Sequence, residues 1–220
     1  MSERRSHILL GAGGHARVVL AMARALGLTV QGLCDPALAQ QQISTWHGLN
    51  VLGGDEALDS LPPQECLLLN GVGPNLDDEI RMRLHVSLRE KGFRFPALVH
   101  PRAWVDESVT LAEGVQVMAG AAIQPGSSIG ENTVINTNAS VDHDCILGAH
   151  VHIAPGATVC GGVVIEDQAF VGSGATVIQN IRIGQNAVLA ACTALVRNLG
   201  ANECVMAAPI RKNIRRPDRK

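Results

Sequence analysis

The sequence predicts two architectures in series: a small α/β domain with a parallel sheet, then a parallel β-helix built from hexapeptides. Three observations carry this. An aliphatic residue returns at every sixth position from Val105 to Leu195, and a second small or aliphatic residue follows each by four, through to Leu199. The first hundred residues lack that period and alternate apolar runs, glycine turns and helical stretches. Aromatic residues make up 2% of a chain that is 46% hydrophobic, with no Tyr, so the core must be aliphatic and narrow. A six-residue period is the signature of hexapeptide β-helices.

The α/β part begins with His7 to Leu10, a short apolar run that reads as a buried strand. Gly11-Ala12-Gly13-Gly14 follows, and Ala16 to Leu26 reads as a helix stopped at Gly27. Thr29 to Cys34 is a second strand, closed by Asp35-Pro36. Glu65 to Leu69 is a third, running into Asn70-Gly71-Val72-Gly73-Pro74. Asp77 to Glu90 has helical composition, and Arg94 to Val99 reads as a last strand. His100-Pro101 is the expected joint, which divides the chain into 1–100, 101–208 and a basic tail, 209–220. Arg211, Lys212, Arg215, Arg216, Arg219 and Lys220 make that tail either a solvated terminus or a phosphate contact.

Gly11 to Ala16 fits G-x-G-x-x-A between a strand and a helix, a Rossmann-like arrangement. Glycines there let the backbone approach a diphosphate at a helix N-terminus, which singles out Gly13 and Gly14. Asp35 ends the next strand, where an acidic residue meets a ribose hydroxyl. His15 and Arg17 add donors beside the turn. NAD is the simplest ligand for such a turn, but the sheet is too short for two mononucleotide halves. A single nucleotide diphosphate fits better.

The formal charge of −2 gives no pull toward nucleic acid or anionic membranes. No apolar run approaches the ~18 residues that span a bilayer. Six scattered cysteines without a C-x-x-C pair, and no secretory signal pattern after Met1, read as reduced thiols of a cytoplasmic protein.

Residues 18 apart occupy the same point on successive coils. His143 follows inward Val141 and lies between Asp142 and Asp144. A carboxylate beside an imidazole fixes its tautomer and stabilises the cation, which suits a general base. Gly161, at +18, stands one strand spacing of about 4.8 Å above it, with Gly162 beside it. A turn glycine there can offer its N–H to an oxyanion. His152 lies half a coil round, so within one chain it cannot reach His143. Pro155, Ser173 and Ala191 stack in register and can line a groove for a thin ligand. Cys145 falls on an inward position, poor for a nucleophile. His143, His150 and His152 do not have the spacing of a β-helical zinc site, so no metal is expected.

Taken together, these motifs resemble the hexapeptide acyltransferases that acetylate nucleotide-linked amino sugars. That group includes bacillosamine-pathway and perosamine N-acetyltransferases, with sialic acid O-acetyltransferases as near relatives. The carriers are Gly11-Ala12-Gly13-Gly14-His15, Asn70-Gly71-Val72-Gly73, His100-Pro101, Asn136 through Asp144, His152 and Gly161-Gly162. Ala207-Ala208-Pro209-Ile210-Arg211 resembles the family's G-x-P-A-[KR] close but departs from it at Ala208 and Ile210. The resemblance implies a left-handed β-helix and a homotrimer with active sites between subunits. It also implies a nucleotide sugar held by Gly13, Gly14, His15, Asp35 and Gly73, with Asn136 on the sugar. Acetyl-CoA would lie near His152, Gly161, Gly162, Ser173 and Ala191. His143, oriented by Asp144 with Asp142 as the alternative partner, would be the base, and the Gly161 N–H would meet the oxyanion. Sialic acid O-acetylation and a non-catalytic nucleotide-binding solenoid are the alternatives.

Overall fold

The structure is a computed structural model that describes residues 6–75 and 79–206. The N-terminal part runs β1 (Ser6–Leu10), α1 (Gly14–Ala25), β2 (Val30–Cys34), α2 (Pro36–Gln40), β3 (Thr45–Trp46), β4 (Leu49–Gly53), β5 (Cys66–Asn70) and α3 (Ile80–Glu90). The sheet order is β3-β4-β2-β1-β5, parallel except for the β3–β4 pair. Central β1 is covered on both faces. Leu9 packs with Ala16, Val19, Leu20 and Ala23, the i, i+3, i+4, i+7 stripe of α1. Ile8 and Leu10 pack on the opposite side with Leu88, Phe93 and Phe95.

Several local readings change. Helix α1 starts at Gly14, with Gly13 as its N-cap. Asp35-Pro36 ends β2 but also starts α2, because the Asp35 carboxylate accepts the Leu38 N–H and Pro36 suits the first helical position. β3 and β4 form a hairpin turned at His47 and Gly48, both at positive φ, which no expected element covers. The strand expected over 94–99 is split: Arg94 makes a single parallel bridge to Leu67 of β5, and Leu98–Val99 pairs with Gln116–Val117 as the first rung of the solenoid. Pro96 has no N–H to give a ladder, while Phe93 and Phe95 turn into the N-terminal core. The start of the helix expected from Asp77, the Ala207 to Arg211 motif and the basic tail lie outside the described residues.

The solenoid has three faces made of two-residue parallel strands. One face, the joint face, stacks Leu98–Val99, Gln116–Val117, Val134–Ile135, His152–Ile153, Phe170–Val171, Val188–Leu189 and Cys204–Val205. The second runs from Trp104–Val105 through Ser140–Val141 to Ala194–Leu195, and the third from Thr110–Leu111 to Arg182–Ile183. The second residue of each strand points inward, so Val117, Ile135, Ile153, Val171 and Leu189 are fully buried. Each corner closes on a residue at positive φ, every sixth position from Gly114 to Cys192. Glycine and asparagine fill most of these corners, as that backbone region requires. The last coil is two residues shorter, since Val188 pairs with Cys204. Among the described residues no helix is long and apolar enough to cross a membrane.

The N-terminal part sits on the outward side of the joint face, where Met118 and Val134 join the α1 core. His85 of α3 is buried there against Phe95, with ring centroids 4.4 Å apart and neither nitrogen hydrogen-bonded. Glu131 Oε2 stands 3.9 Å away, but burial dominates and lowers the His85 pKa to about 4, so the pair is not ionic at neutral pH. Burial likewise lowers His15 to about 4 and His152 to about 3.

Unfolding frees these rings to protonate near pH 6.5. Between that pH and the folded values the unfolded chain binds more protons, so stability falls as pH falls through this window. The urea midpoint should therefore drop between pH 7 and pH 4.5. His85→Leu should make the drop shallower; an unchanged slope would remove His85 from this account.

Candidate functional site

His143 and Asp144 form the corner between the second and third faces. Asp144 is at positive φ (57°), a conformation that aspartate tolerates better than most residues. Its Oδ2 lies 2.9 Å from His143 Nδ1. Asp142 instead accepts the His143 backbone N–H at 2.9 Å, so Asp144 is the ring's partner. Both side chains are exposed. The hydrogen bond to Asp144, with the charge of Asp142, raises the His143 pKa above its usual 6.5.

Gly161 lies directly over this ring. A Cβ built there would come within 2.6 Å of His143 Cε1 and Nε2, so only glycine lets the ring occupy this position. The next corner residue, Gly162, donates its N–H to His143 O at 2.9 Å. The Gly161 N–H meets no protein acceptor among the described residues. Cys145 is fully buried, and burial raises its pKa, which disfavours the thiolate.

A second group of expected residues meets at the joint between the two parts of the chain. Gly13 and Gly14 are open: a Cβ would meet nothing at Gly13 and only the Arg17 guanidinium, at 3.9 Å, at Gly14. Gly73 faces His15: a Cβ added at Gly73 would come within 3.2 Å of the His15 Cβ. The two Asp35 oxygens each accept a backbone N–H, from Ala12 at 2.8 Å and Leu38 at 2.9 Å, so Asp35 shapes the glycine turn itself. His15 Nε2 meets Gln116 Oε1 at 2.8 Å, and Gln116 Nε2 donates to Asn70 O at 2.8 Å. Asn136 Nδ2 lies 3.1 Å from His152 Nε2. Ser173 and Ala191 occupy exposed corner positions in register with Pro155: Gly174 N–H bonds Pro155 O and Cys192 N–H bonds Ser173 O.

Gln116 and Arg81 have no place among the sequence expectations. Gln116 occupies an outward strand position whose stacked neighbours, Leu98 and Val134, are apolar; that mismatch was its signal. Arg81 carries its charge in burial, with no carboxylate partner among the described residues. Its guanidinium donates to Asn70 O (3.1 Å), Val72 O (2.7 Å) and Asn132 O (3.4 Å), tying the Asn70–Gly73 turn to the solenoid. Burial lowers its pKa to about 9, still cationic at neutral pH. A cavity of about 500 Å³ opens beside it, lined among others by Arg81, Asn132, His150, His152, Phe170 and Val188.

The two groups do not meet within one chain. His143 and Gly161 lie at the corner opposite the joint face that carries His152 and Gln116. His143 is thus also apart from His150 and His152, and no group of three or more potential metal ligands occurs among the described residues.

Residues 7–86 match the PglD N-terminal domain, and residues 126–161 match the bacterial transferase hexapeptide family (six repeats). The acetyltransferase domain of PglB from Neisseria gonorrhoeae, solved with acetyl coenzyme A, is 32% identical with a TM-score of 0.84, covering 91% of this chain and 95% of that one. A histidine-to-asparagine mutant of perosamine N-acetyltransferase from Caulobacter crescentus, solved with CoA and GDP-perosamine, is 38% identical with a TM-score of 0.83, covering 93% and 94%. WeeI from Acinetobacter baumannii shares the fold at 22% identity, with a TM-score of 0.82 over 94% and 99%. A PglD-type α/β domain, a hexapeptide β-helix and likeness over nine-tenths of the chain to an acetyltransferase domain and a perosamine N-acetyltransferase place this chain in the hexapeptide-repeat nucleotide-sugar N-acetyltransferase family, and it is an acetyltransferase.

Proposed function

We propose that the chain transfers an acetyl group from acetyl-CoA to the amine of a nucleotide-linked (UDP- or GDP-) 4-amino deoxysugar. The observation that carries this is the exposed His143–Asp144 pair with Gly161 over its ring. Asp144 takes the Nδ1–H, which leaves the lone pair on Nε2. The sugar nitrogen attacks the thioester carbonyl and gives its proton to that lone pair. The Gly161 N–H stabilises the tetrahedral oxyanion. Collapse breaks the carbon–sulfur bond, and the CoA thiolate recovers the proton from His143. Gly13, Gly14, His15, Arg17, Asp35 and Gly73 surround the nucleotide sugar. Acetyl-CoA runs along the corner column of Ser173 and Ala191, close to His152, Gly161 and Gly162.

The direct test is acetyl-CoA turnover against UDP-, GDP- and dTDP-linked amino sugars. Turnover with one of them is expected; activity on free sialic acid alone would replace the amine by a hydroxyl. His143→Ala should lower kcat by ~10²–10⁴-fold, and near wild-type turnover would remove His143 as base. Because the hydrogen bond to Asp144 raises the His143 pKa, the free base accumulates at higher pH than it would without that partner. Asp144→Asn should therefore move the acid limb of the kcat/KM profile to lower pH, while a limb that stays put would assign it to another group.

The family resemblance implies a homotrimer, and the separation of His143 from His152 fits sites that combine the corner of one subunit with the joint face of the next. Mixed trimers of His143→Ala and His152→Ala chains should then regain activity that neither variant has alone. Random mixing gives about a quarter of sites with both histidines. No recovery from verified mixed trimers would confine each site to one chain.

A further inference from the structure

Two amides at the joint, Gln116 buried and Asn136 half-buried, have only one orientation each that satisfies their neighbours. Thr137 N–H lies 2.8 Å from Asn136 Oδ1 and can only donate, so that atom is the oxygen. Asn136 Nδ2 therefore faces His152 Nε2 at 3.1 Å. An amide nitrogen can only donate, so Nε2 must accept, and the ring proton sits on Nδ1. At the other amide, Asn70 O can only accept, so the Gln116 atom 2.8 Å from it is nitrogen. Gln116 Oε1 then faces His15 Nε2 at 2.8 Å, and that nitrogen must carry the proton. His15 Nδ1 is left bare.

We infer that Asn136 and Gln116 are positioning residues that hold His152 and His15 in opposite neutral tautomers, so that the joint offers one N–H donor and one lone-pair acceptor. Three observations support it. His152 is 8% exposed and its Nδ1 has no protein partner among the described residues, so a buried donor waits for a ligand acceptor. Phe170 stands edge-on to the His152 ring at 4.8 Å and fixes its plane. Burial keeps both rings neutral at physiological pH. The ligand atom that meets His152 is then an acceptor oxygen, carbonyl or hydroxyl. The atom that meets His15 carries a hydrogen, as an amine or hydroxyl does. Asn136, expected from sequence to touch the sugar, acts instead through His152. The inference about ligand atoms rests on the acetyltransferase reading; the tautomers do not.

Long-range ¹H–¹⁵N correlation spectra of the ligand-free, histidine-labelled protein at pH 6.5 test this, with His15→Gln and His152→Gln used for assignment. The expected result is a protonated Nδ1 on His152 and a protonated Nε2 on His15. An imidazolium pattern for either ring, or one tautomer shared by both, would overturn it. Asn136→Asp presents His152 Nε2 with an acceptor and should move its proton to Nε2. If the variant folds, kcat/KM should fall about 5- to 150-fold, the cost of one buried hydrogen bond left unmade. A moved proton with unchanged kcat/KM would refute the functional role. The expected spectra without acetyl transfer to any amino sugar would reject the proposed reaction and leave the tautomer assignment standing.

Discussion

The solenoid depends on turning its backbone at the same place on every coil. A residue at positive φ closes each corner from Gly114 to Cys192 at intervals of six, and the parallel ladders register residues 18 apart. Glycine and asparagine enter that region at little cost, whereas most other residues pay roughly 1–2 kcal/mol. The corner residues at the candidate site obey the same rule. Asp144 is one of the few residues that can be both an acid and a corner, and its left-handed backbone brings its carboxylate onto the imidazole of the preceding residue. The next coil supplies Gly161 and Gly162 at the same corner. Chain geometry alone therefore sets the imidazole, its carboxylate partner and the glycine within one column.

The joint is held by a different kind of constraint. Arg81 is a buried cation whose partners among the described residues are carbonyl dipoles from both sides of the joint, which offset its desolvation. Asn70 is the common member: its carbonyl accepts from Arg81 and Gln116, and its amide donates to Asn132 and to Arg81 O. A network so fully connected tolerates few rearrangements, which suits a surface that must fix a glycine turn against a rigid helix.

The period made the solenoid legible because each inward position repeats the same chemistry. It also placed Gly161 over His143 and turned Cys145 inward without any knowledge of the fold. What stayed hidden depends on contacts between distant segments. Gln116 looks like an ordinary exposed strand residue until Asn70, 46 positions earlier, and His15 are brought to it. His85 reads as one more helix residue, yet it is buried against Phe95 and near His150. Asp35 shows that a motif position can have two demands on it, since one carboxylate both caps α2 and braces the turn at Ala12. The strand expected over 94–99 divides at Pro96, whose missing N–H interrupts the ladder, so that Arg94 bridges β5 and Leu98–Val99 joins the solenoid.

The histidines of this chain divide by environment, and the division assigns chemistry. His143 is exposed, with two carboxylates next to it, and its pKa is raised. His15 and His152 are shielded, near the cationic Arg81, and their pKa values are lowered to about 4 and about 3. A general base must be free at the working pH and still hold the proton it takes. A ring with a pKa near 3 satisfies the first demand and fails the second. In the proposed reaction this division suits His152 to the role of a fixed dipole and His143 to that of the proton acceptor. The same burial that disqualifies His152 as a base lets a second-row amide dictate which of its nitrogens carries hydrogen.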